Sequence, residues 1–198
     1  MKAWSVIAAV AALGIAGCQQ AALAGGSGQS PEAQTRTPAE PSTALGVTFD
    51  KASSLQTRPC GEEPGSRCVT VFDPAAEEFM RDLFNVEVHE GALDAVAAEE
   101  AGFVRNADGK LMTTYGRFMP VEVESFRVNS NPGLRAVISC GISDPETGFH
   151  AAGGECLWAV VSDGKRTAVI ASSGFGNGLE AAEAAVASLR FLTDDAPH

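Results

Sequence analysis

Tyrosine occurs once, tryptophan twice and histidine three times in 198 residues, and positive charge is scarce: 14 Lys and Arg stand against 25 Asp and Glu, a formal charge of −11. That shortage argues against nucleic acid or anionic lipid as an electrostatic partner. No apolar run reaches the ~20 residues of a membrane-spanning helix. The patterns H-E-x-x-H, G-x-S-x-G, C-x-x-C and the phosphate-loop Lys-Ser/Thr are all missing. Their absence removes sequence support for zinc-hydrolase, α/β-hydrolase, thioredoxin-type and nucleotide-binding chemistry. What remains is ample apolar material, 45% hydrophobic with ten Phe, enough for one compact domain.

The N-terminus carries Lys2 and then an apolar run from Ser5 to Gly17, halted by Gln19 and Gln20. Its length suits the hydrophobic region of a signal peptide. It ends in Ile15-Ala16-Gly17-Cys18, an aliphatic residue, two small residues and a cysteine, which resembles the bacterial lipobox. The resemblance implies a lipoprotein signal peptide over residues 1–17 and diacylglycerol attachment at the Cys18 thiol, with cleavage just before it. An ordinary secretory signal cut after Ala22 or Ala24 is the competing reading. Each buried methylene contributes about 0.8 kcal/mol, so two or three acyl chains would hold the chain on a bilayer. Gln19 in place of Asp implies, for a Gram-negative source, the periplasmic face of the outer membrane.

Residues 18–46 are rich in Ala, Gly, Ser, Pro, Thr and Gln, so beyond the lipidated Cys18 they are expected to form a disordered tether. Residues 47–192 are expected to form a single α+β domain, and 193–198 a polar tail. Val47–Phe49 and Cys68–Phe72 read as strands. Asp73 and Pro74 fit the N-cap and first position of a helix, with Phe79, Met80 and Leu83 as its buried stripe. A second helix is expected over Ala92–Ala101, with Gly102 at its C′ position. Further strands are expected over Lys110–Arg117, Val121–Val128, Leu134–Ser143, Cys156–Ser162 and Arg166–Ser173, with Asp163-Gly164 as a hairpin turn. Asn177 and Glu180 match a capping box for a last helix carrying Leu179, Ala182, Val186 and Leu189 on one face. The expected class is thus α+β: an antiparallel sheet built from hairpins, helices packed on it, ending in a C-terminal helix.

Setting Cys18 aside leaves four cysteines, which in an exported chain read as disulfides. Cys60–Cys68 and Cys140–Cys156 are the favoured pairings, because each brackets a turn-rich segment between strand-like arms. Zinc sites show closer pairs, so no metal is expected.

Other candidates carry less. His89 and His150 as a pair with Glu90, Asp144 or Glu155 could hold a metal, but no ligand spacing supports it. Gly174–Gly178 could cradle an anion at a helix start, although a plain turn explains it. Ser172 and Ser173 lack an elbow motif. Glu62/Glu63 and Glu99/Glu100 read as solvated charge, and Trp158 as core packing beside Cys156 rather than a stacking platform.

The segment Ala136 to Leu192, a strand hairpin closed by a helix ending Ser188-Leu-Arg-Phe191, resembles the C-terminus of PsbP/Mog1-like domains. That resemblance implies a non-catalytic binding or accessory role and transfers no site residue. The expected function is therefore a lipid-anchored cell-envelope lipoprotein without catalytic residues or cofactor, held to the membrane through Cys18 and binding an envelope protein partner. The alternative is an envelope hydrolase around His150. A structure with His150 or His89 in a cleft and two carboxylates or a serine within hydrogen-bond reach would overturn the binding reading.

Overall fold

The computed structural model describes residues 36–38, 45–60, 67–113, 120–144 and 149–193, all within one compact unit, Gln34–His198. The expected signal peptide, Cys18, Glu62, Glu63 and residues 194–198 of the expected tail lie outside the described residues. Three short strands come first: β1 (Arg36–Pro38), β2 (Val47–Thr48) and β3 (Asp50–Ala52). Next are β4 (Gln56–Pro59), β5 (Cys68–Phe72) and, past a single 3-10 turn, β6 (Asp82–Glu90). Helix α1 (Leu93–Glu100) leads into the small hairpin of β7 (Phe103–Arg105) and β8 (Leu111–Thr113). Strands β9 (Glu124–Val128), β10 (Asn131–Asp144), β11 (Phe149–Ser162) and β12 (Arg166–Ser172) precede helix α2 (Gly178–Ser188) and β13 (Arg190–Phe191).

Seven strands form one sheet in the order β4-β5-β6-β12-β11-β10-β9, with every neighbouring pair antiparallel. Strand side chains alternate between faces, so the strands β10, β11 and β12 supply two cores. Phe84, Val86 and Val88 of β6, Leu157, Ala159 and Val161 of β11, and Ala168 and Ile170 of β12 pack with Ala182, Ala185, Val186 and Leu189 of α2. On the opposite face, Val160, Val169, Leu134, Ala136 and Ile138 pack with Val96, Ala97 and Phe103. Fully burying each such aliphatic contributes about 1.5–3 kcal/mol, so the two cores dominate the stability of the sheet. Helix α1 contacts β10, β11 and β12, whereas α2 contacts β6, β11 and β12. Among the described residues, no helix packs over the α1 side of β5 and most of β6.

Several expectations need correction. The expected class, an α+β sheet built from hairpins and ending in a C-terminal helix, gives the helices too much weight. The fold is mostly β, one large antiparallel sheet with two α-helices among the described residues; the expected C-terminal helix is present as α2 and is followed by a short strand, β13, paired with β2. Nor do hairpins alone build it, because β6 pairs with the sequence-distant β12, Glu90 opposite Arg166.

The helix expected from Asp73 does not form. The Asp73 carboxylate accepts from the Ala75 N–H at 2.9 Å and the Asp73 N–H donates to the Arg81 carbonyl at 2.9 Å, which closes a turn. Asp-Pro suits a turn as well as a helix start. The following run, Phe84-Asn-Val-Glu-Val-His89, alternates at the strand period and becomes a central strand. Phe79, expected in a buried stripe, is 68% exposed.

The capping box at α2 is also absent, since Asn177 makes no side-chain cap hydrogen bond. Arg36–Pro38, inside the expected tether, pairs as a strand with Asp50–Ala52, because main-chain pairing requires no apolar side chain. By contrast, Gly102 has φ +61° at the end of α1 and Gly164 has φ +95° in the β11–β12 turn, as the chain reversals there require.

Candidate functional site

Cross-strand register aligns side chains in rows on the face that α1 leaves open. Arg58, Thr70, Asn85, Ala171 and Trp158 are successive partners from β4 to β11. One pleat along, Cys68, Glu87 and Val169 form the next row, and His89 stands opposite Thr167 in the third. Ala171 is the small member between Asn85 and Trp158, so the floor dips there.

Two adjoining cavities follow these rows. One, about 500 Å³, is lined among others by Arg58, Cys60, Thr70, Asn85, Trp158 and Ser173. The other, about 160 Å³, is lined by Asn85, Glu87, Glu100, Trp158, Val169 and Ala171. Both share Asn85, Trp158 and Ala171, so together they form one groove with an aromatic wall. Trp158 also packs against the buried cluster that includes Cys156, so the core role expected for it coexists with a groove-lining one.

The two ends of the groove differ in charge. At the β4 end, Arg58 pairs with Asp82 at 2.5 Å, and its guanidinium lies 5.0 Å from the Phe72 ring centroid. At the α1 end the carboxylates dominate. His89 Nε2 lies 3.4 Å from Glu87 Oε2, and Nδ1 lies 3.5 Å from Glu100 Oε1. These separations exceed the ~2.7–3.2 Å of a well-formed hydrogen bond. The Nε2 atom is buried and lacks a partner in bonding geometry, although the His89 side chain as a whole is 29% exposed. Among the described residues, neither ring nitrogen hydrogen-bonds a serine hydroxyl.

Both expected cysteine pairs are bonded, Cys60 to Cys68 with Cα atoms 5.3 Å apart and Cys140 to Cys156 with 5.8 Å. The first joins β4 to β5 beside the groove, where the Cys60 N–H also donates to the Cys68 carbonyl at 3.2 Å. The backbone of His150 pairs with Ser143 across β10 and β11, but its side chain lies outside the description, as does the expected site around it. Of the Glu99/Glu100 pair, Glu99 is exposed and Glu100 turns toward His89. The glycine-rich turn before α2 packs tightly: a Cβ on Gly178 would meet the Ser173 and Leu83 carbonyl oxygens at 2.7 and 2.8 Å. Close backbone approach thus accounts for Gly178 without an anion.

Asn85 and Glu87 were not among the expected site residues. Their signal was the period-2 alternation of Phe84 to His89, which places three polar side chains on one face. Reading Asp73-Pro74 as a helix start hid it.

No family model matches the sequence, and no curated protein is similar to it. Among solved structures, the chain is similar to one from Bacteroides thetaiotaomicron at 9% identity and TM-score 0.47, covering 78% of this chain and 48% of that one, so it spans about half that protein's length. It is also similar to the solution structure of the cyanobacterial PsbP (CyanoP) from Synechocystis at 13% identity and TM-score 0.49, covering 84% and 98%. Both likenesses have TM-scores below 0.5.

Proposed function

We propose that this chain is a lipid-anchored cell-envelope lipoprotein whose folded domain binds an envelope protein partner through the groove between α1 and β4. The observation that carries the binding role is the groove itself. It combines an aromatic wall at Trp158, an exposed amide at Asn85 and an acidic end at Glu87 and Glu100, a mixture suited to recognition. The anchor rests on Ile15-Ala16-Gly17-Cys18, and the two disulfides fit an oxidising compartment.

The test is affinity capture from detergent-solubilised envelope, with the native chain and Asn85→Arg side by side. Asn85 is exposed on the groove floor, so arginine fills the groove without entering a core. A partner recovered by the native chain and lost by Asn85→Arg supports the reading. Recovery of nothing, or equal recovery by both, counts against it.

A second reading has one observation in its favour. His89 is flanked by two carboxylates, an arrangement open to acid–base work. A hydrolase centred there predicts hydrolytic activity in the purified native chain that His89→Ala abolishes.

A further inference from the structure

The Cys60–Cys68 disulfide and Glu87 are placed together by register. Cys68 is the direct cross-strand partner of Glu87, and its Sγ lies 3.4 Å from Glu87 Oε1. A disulfide carries no S–H, so this contact gives the carboxylate no hydrogen bond. Among the described residues no Lys or Arg pairs with Glu87; its ion-pair contact is with His89. The sulfurs of Cys60 and Cys68 and a Glu87 carboxylate oxygen all lie within 4.8 Å of one another. Two thiolates and a carboxylate at such spacing form the donor set of a thiophilic divalent cation.

We propose that this disulfide masks a metal site, and that its reduction opens a zinc site made by Cys60, Cys68 and Glu87. Cys60 is exposed and Cys68 buried, so an external dithiol attacks at Cys60. The donor's thiolate bonds to Cys60 Sγ, and Cys68 leaves as a thiolate that takes up a proton. The donor's second thiol then displaces Cys60, so two electrons reduce the protein and the donor departs as a disulfide. Zinc binding afterwards releases the two thiol protons. Bonds of about 2.3 Å at a tetrahedral angle place two sulfurs about 3.8 Å apart, which neighbouring strands allow. The fourth position is left to water. This inference is independent of whether the groove binds a partner.

The experiment titrates zinc by calorimetry into the chain beginning at Cys18, oxidised and after reduction with a phosphine that adds no competing thiol. Circular dichroism follows the fold, and cobalt(II) reports thiolate ligation through its sulfur charge-transfer band. The oxidised protein is expected to bind no zinc. The reduced protein is expected to bind about one zinc per chain and release about two protons. Cys60→Ser/Cys68→Ser is expected to lose binding although the reduced Cys140 and Cys156 remain, and Glu87→Gln to bind at least about tenfold more weakly. If the reduced native chain binds no more tightly than Cys60→Ser/Cys68→Ser, or if Glu87→Gln binds as the native chain does, the site is overturned. The second outcome also covers adventitious binding by unfolded thiols.

Discussion

Glu87 faces Cys68 across β5 and β6, and its other carboxylate oxygen lies 3.4 Å from His89 Nε2. With Glu100 on the far side of the imidazole, a disulfide, two carboxylates and a histidine occupy one acidic stretch of the open sheet face. Nothing in the spacing of Cys60, Cys68, Glu87, His89 and Glu100 announces this. They converge because β6 is a central strand and α1 ends beside it.

Phe79 and Leu83 separate the observed turn-and-strand from the helix expected there. Leu83 is 1% exposed in the α2-side core, and Phe79 is 68% exposed. Leu83→Ala should cost about 2–5 kcal/mol in denaturant unfolding. Phe79→Ser should stay within about 0.5 kcal/mol of the native chain. Equal and large losses would restore the helix with both residues buried.

Asp163 makes stability depend on acid. Partial burial pushes its pKa up from 3.8, but the backbone N–H groups of Arg166 and Lys165 and the Arg166 guanidinium at 2.7 Å outweigh that and hold it below. A carboxyl with a depressed folded pKa stabilises the fold above its unfolded pKa, and that contribution disappears as pH falls through the folded value. Unfolding free energy should therefore fall below about pH 4, and Asp163→Asn should flatten that part of the profile. An unchanged acid limb in Asp163→Asn would contradict the assignment.

The Cys140–Cys156 bridge closes a separation of 16 residues. On loop-entropy grounds Cys140→Ser/Cys156→Ser should lose about 3 kcal/mol in equilibrium urea unfolding. A loss below about 1 kcal/mol would mean that β10 and β11 hold this segment without the bond.

Cys18→Ala should leave an unacylated, unprocessed precursor, read by the mass of the extracted protein. Normal acylation or cleavage in that variant would remove the lipobox reading.

The strands over Cys68–Phe72, Arg166–Ser172 and the middle of β10 and β11 were legible because β-branched and aromatic residues crowd there and Asp163-Gly164 marks the turn between two of them. Helix α1 and its Gly102 terminus were legible from period and punctuation. Strand β6 was not, because Asp-Pro is ambiguous between turn and helix, and tertiary pairing with β5 and β12 decides between them. The groove was illegible for the same reason: its floor is one cross-strand row drawn from five strands, and register is a property of the assembled sheet.

The most direct test of the groove is site-specific photo-crosslinking in intact cells, with the photoreactive residue placed at Asn85 or, as a control, at the exposed Glu99. A discrete crosslinked product from position 85 and none from position 99 is the predicted result. No product at 85, or the same product from both positions, would contradict the assignment of this groove as the binding site.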